Sequence, residues 1–199
     1  MEQSSVQKLA RVLRVLVMII FVCNILALFA VPTLVVAQVA SAGAGAVEFG
    51  LTALEALLNP ETRPESSVWL GYMFVLSWPA VFEEVYTAVL TLFLWTCGIC
   101  TAVILWQGKR VLDTVLKEEP FTLNNAANLK RAAVCCFVIS GAALARLVFG
   151  LAYFASIRPL LTYNALFVPV FLVGGLLFLV MSALFRQAAE LKAENDLTI

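Results

Sequence analysis

The chain has 199 residues, of which 62% are hydrophobic and 13% charged, and its 13 basic and 13 acidic side chains cancel. A soluble domain is about 45–50% apolar and about 25% charged, so a water-soluble fold of this size is excluded and a bilayer must act as solvent. Zero net charge gives no general pull toward nucleic acid or acidic lipid, and the absence of histidine removes imidazole metal sites, His-ligated haem and the commonest general base.

Residues 1–14 form a short basic arm with Lys8, Arg11 and Arg14. Residues 15–36 follow without a charge. A helix needs roughly 20 apolar residues to cross about 30 Å of hydrocarbon, so this is a first span. Ala40-Ser41-Ala42 offers the small residues of a signal-peptide cleavage site, but the apolar run exceeds the ~7–15-residue core of such a peptide. Residues 37–83 make an outer segment. In it SAGAGA (41–46) reads as a hinge, and 47–58 reads as an amphipathic surface helix with Val47, Leu51, Leu54 and Leu58 on one face. Pro60 and Pro64 close it. Within the long apolar stretch 68–106, an interfacial approach at 68–78 carries Trp69, Tyr72 and Trp78. A kink at Pro79 follows, and the second span covers about 84–106.

Residues 107–131 are a mixed-charge connector. Val111, Leu112, Val115 and Leu116 continue a helical stripe beyond the span, and Pro120 stops it. Thr122 is placed to cap a new helix, with Phe121 stapled against Ala126, and that helix runs from Leu123 into a third span at about 132–154. A short outer loop with Arg158 and Pro159 leads to a fourth span at about 164–185 and a tail, 186–199, helical to about Glu194. Lys and Arg collect on the cytoplasmic side of membrane proteins. Arm, connector and tail together hold ten, against Arg63 and Arg158 outside, so both termini and the connector are expected in the cytoplasm. The expected fold is one all-α membrane domain over 1–199: a four-helix bundle with an outer amphipathic helix and cytoplasmic helix extensions.

Pro120-Phe121-Thr122 followed by Asn125 and Leu129-Lys130, and the tail Leu191-Lys192-Ala193-Glu194-Asn195-Asp196-Leu197-Thr198-Ile199, resemble the central loop and C-terminal signature of a bacterial four-span family catalogued only as a domain of unknown function. The resemblance implies a bacterial inner-membrane protein. It carries over no catalytic residue and no cofactor.

Arg146 lies inside the third span, where an arginine costs at least ~2.5 kcal/mol. It is either one pole of an ion pair locking the bundle or part of an anion, proton or gating site. Glu83, Glu84 and Asn24 are its candidate partners, with Glu84 preferred as the deeper acid. Cys97-Gly98-Ile99-Cys100 has the spacing of a thiol oxidoreductase but sits in hydrocarbon with no loop cysteine to relay electrons, which favours small buried side chains. Cys135-Cys136 admits palmitoylation or packing. Gly98 with Ala102, Gly141 with Ala145, and Gly174-Gly175 suit close helix approach, within one subunit or between copies. Lys109, Arg110, Lys130 and Arg131 suit lipid phosphate or the acidic tail residues Glu190, Glu194 and Asp196.

These readings leave two function classes. The first is a non-enzymatic protein that senses or scaffolds through a cytoplasmic cap of connector and tail (Phe121, Thr122, Asn125, Lys130, Arg131, Glu194, Asp196) acting on a protein partner. The second is a small transporter or oligomeric channel using Arg146. Lipid is an expected partner, and nucleic acid is not.

Overall fold

The computed structural model describes residues 2–40, 51, 64–161 and 164–196. It is all-α: α1 spans Glu2–Ala40, α2 Pro64–Ala80, α3 Val85–Leu116, α4 Leu123–Phe154 and α5 Asn164–Asp196, with a 3₁₀ turn at Arg158–Leu161. No strand occurs among the described residues. Four helices, α1, α3, α4 and α5, are long and apolar enough to cross a membrane. The hinge at 41–46 and the amphipathic stretch 47–58 fall outside the described residues, apart from Leu51, which is helical and exposed.

Each long helix overruns the hydrocarbon. At 1.5 Å per residue, 32 residues reach about 48 Å, against about 30 Å of bilayer core. The basic arm of the N-terminus is therefore the first turns of α1 and not a separate strand of chain. It contains good helix formers and no glycine or proline before Pro32. The stretch 64–84 is a helix followed by a turn. Pro64 opens α2, where its missing N–H costs nothing. Pro79 lies one residue from the end, and tight backbone bonds follow: Phe82 N–H to Pro79 O at 3.0 Å and Glu83 N–H to Ala80 O at 3.3 Å. The break expected at Pro79 is thus the end of a helix, with α3 starting at Val85.

The chain forms two compact units, residues 26–95 and residues 1–25 with 96–199. In the first, Pro32 cannot donate to Leu28 O, and the Trp95 indole N–H takes that carbonyl at 3.2 Å. Thr33 and Ser77 hydroxyls meet at 2.9 Å, and Trp95 packs against Trp78 with ring centroids 5.9 Å apart. The Thr87 hydroxyl lies 2.7 Å from Val81 O and 2.8 Å from Glu84 O, sharing its proton between two carbonyls of the turn.

In the second unit α4 and α5 run antiparallel. Ser182 Oγ donates to Ala126 O at 2.7 Å and Ser140 Oγ to Val168 O at 2.9 Å, at equal intervals along both helices. On α4, Asn125, Leu129, Ala132, Cys136, Ile139, Ala143 and Gly150 are buried. The spacing alternates four and three as far as Ala143 and then covers seven to Gly150, the 3.5-residue period of helices coiling left-handed about a partner. Most of these side chains are small, which lets the helices approach closely. A Cβ on Gly175 would stand 2.8 Å from the Phe137 ring. α1 and α3 are joined at seven-residue steps along α1: Gln7 to Glu118, Arg14 to Asp113, and Phe21 to Trp106.

Candidate functional site

The connector between α3 and α4 is locked from within. α3 ends by left-handed closure at Glu118 (φ 63°), with Glu119 N–H on Thr114 O at 3.0 Å. Thr122 is extended and its Oγ1 accepts from Asn125 N–H at 3.2 Å, the capping expected of it. The Asn125 side chain is fully buried. Its Nδ2 donates to Thr114 Oγ1 at 2.5 Å and to Pro120 O at 2.7 Å. One amide thus ties the end of α3, the proline turn and the start of α4 together. The Phe121 ring meets Phe185 of α5 at 5.6 Å.

Two further segments meet this connector. Gln7 Nε2 donates to Glu118 Oε1 at 2.6 Å, and Arg14 Nε forms an ion pair with Asp113 Oδ1 at 2.8 Å. The second contact is a charge pair and not an aligned hydrogen bond, because Asp113 Oδ1 has no hydrogen-bond partner among the described residues. Arg14 and Asp113 are about a third to a half exposed, so solvent screens their attraction. Phe185 lies just before the charged tail, where Arg186 Nε binds Glu190 Oε1 at 2.8 Å and that carboxylate pushes the guanidinium pKa upward. Lys130, Arg131 and Glu194 are exposed, and Asp196 is helical and the last of the described residues. The Lys109 ammonium stands 4.7 Å above the Trp106 ring and the Arg110 guanidinium 6.0 Å from it, which holds these cations at the end of the apolar run.

Arg146 falls on the inward four-three stripe of α4 and is half-buried. Its Nη1 donates to Asn164 Oδ1 at 2.8 Å. Sequence reasoning did not choose Asn164. Asn24 on α1 has its Oδ1 buried without a hydrogen-bond partner among the described residues. Glu83 and Glu84 are exposed in the turn before α3. The five cysteines are free thiols, with Cys100 on α3 and Cys136 on α4 buried. No group of three His, Cys, Asp or Glu able to hold a metal occurs among the described residues.

Four apolar helices, each long enough to span, together with a polar connector lock, define a multi-pass α-helical membrane protein. The chain belongs to the family described as "Protein of unknown function (DUF2975)", whose model matches residues 59–199. No curated protein and no solved structure matches it.

Proposed function

We propose that this is a non-enzymatic membrane protein of the bacterial inner membrane that senses or scaffolds through the platform made by its connector, the start of α1 and the base of its tail. The observation that carries this reading is the Asn125 lock, joined to α1 by Gln7–Glu118 and to α5 by Phe121–Phe185. Three distant stretches of chain are held in one arrangement, as a docking surface requires. Positive-inside bias puts that platform in the cytoplasm, with both termini, where a soluble partner would meet it.

Photo-crosslinking in living cells tests the proposal. A crosslinker at exposed Glu119 or Asn124 should trap one soluble protein, and Asn125→Ala should abolish the adduct. A lipid-facing control at Leu172 should trap none. A transporter built on Arg146 predicts the opposite pattern. Purified protein in liposomes would then pass solute, Arg146→Leu would stop the flux, and no soluble protein would be trapped.

A further inference from the structure

A groove of about 500 Å³ lies between the first turns of α4 and the last turns of α5. Its apolar walls are Leu123, Ala126 and Leu179, Ser182 forms part of its floor, and Lys130 and Arg186 line it as cations. Lys130 and Arg131 are the last charges before the apolar run of α4, and Arg186 is the first after that of α5. The helices are antiparallel, so these cations mark one membrane face. Side chains on a helix tilt toward its N-terminus, which aims the Lys130 ammonium back out along the groove. Arg186 engages Glu190 through Nε, and a guanidinium carries five N–H donors in all. Among the described residues no acid pairs with Lys130. The groove therefore holds two cations and one carboxylate over an apolar wall that continues into the span.

From this combination we infer that the groove is a binding site for one anionic phospholipid. The headgroup phosphate accepts from Lys130 and the Arg186 guanidinium beside Ala126, and an acyl chain runs past Leu179 into the span. The surplus of one positive charge matches a phosphodiester whose headgroup carries no amine. A zwitterionic lipid would leave that surplus uncompensated. Charge and apolar wall together select a lipid over a free phosphate ion, which would leave Leu123 and Leu179 exposed.

Native mass spectrometry of the full chain tests this, with the protein exchanged from vesicles of equal phosphatidylglycerol, phosphatidylethanolamine and phosphatidylcholine. One phosphatidylglycerol should be retained in preference to the others, and soluble glycerophosphate should not displace it. Lys130→Gln with Arg186→Gln should weaken retention roughly tenfold to thirtyfold, the worth of up to two surface cations. Ala127→Phe, which fills the groove and keeps both charges, should also expel the lipid. Lys192→Gln, on the same helix beyond the groove, should change nothing. Equal retention of the three lipids, an unaffected double variant, or an equal loss in Lys192→Gln would each overturn the site.

Discussion

Asn125 has no accessible surface, and its two described side-chain donor contacts go to the Thr114 hydroxyl in the last turn of α3 and to Pro120 O in the turn beyond it. Truncation to alanine would remove both donor contacts, leaving Pro120 O with Thr122 N–H alone and Thr114 Oγ1 with Val111 O alone, at about 1 kcal/mol for each hydrogen bond lost. Asn125→Ala should therefore lower the thermal midpoint in detergent and speed protease cleavage within 117–122, whereas Asn124→Ala, at an exposed position, should do neither. Arg146 poses the converse case. Its guanidinium is anchored to Asn164, so removing the acceptor alone should cost more than removing the arginine. Asn164→Leu should destabilise more than Arg146→Leu, and the double variant should be milder than the sum of the two, as thermal unfolding of all four forms would show. The unusual cost of Arg146 was legible in the sequence, but its partner was not. Asn164 begins the next helix, beyond a turn whose geometry composition does not encode. The signal was the four-three spacing from Asn125 to Gly150, which places Arg146 on the inward stripe.

Helix lengths show what an apolar run can and cannot reveal. The runs located all four membrane-crossing helices and the capped start of α4, because hydrocarbon thickness and the Thr122 cap are local constraints. They did not reveal that α1 continues through its basic arm or that 64–80 is a full helix, since polar helix turns carry no apolar signature. The Phe185 partner of Phe121 was not legible for a related reason: the staple rule looks one turn ahead, while Phe185 comes from the antiparallel neighbour. Contact between α4 and α5 makes a sharp prediction at two adjacent glycines. A side chain on Gly175 collides with the Phe137 ring, and one on Gly174 meets nothing within 4 Å. Gly175→Leu should destabilise by about 1–3 kcal/mol through overpacking, while Gly174→Leu should be tolerated or gain helix propensity. On α3, Trp95→Phe should cost about 1 kcal/mol because Leu28 O of α1 loses its donor. In a Pro32→Ala background the helix supplies that donor itself, and the cost should largely vanish.

At the scale of the molecule, membrane insertion follows from apolar length, and the proposed sidedness rests on the twelve cations outside the spans, ten of them in the arm, connector and tail. The proposed platform has meaning only if the connector faces the compartment where its partner resides. Impermeant maleimide labelling of a single introduced cysteine, in intact and in permeabilised cells, tests this most directly, with the five native cysteines replaced by serine or alanine. Lys117→Cys should label only after permeabilisation, and Leu51→Cys should label in intact cells. Labelling of Lys117→Cys from outside intact cells would contradict the account.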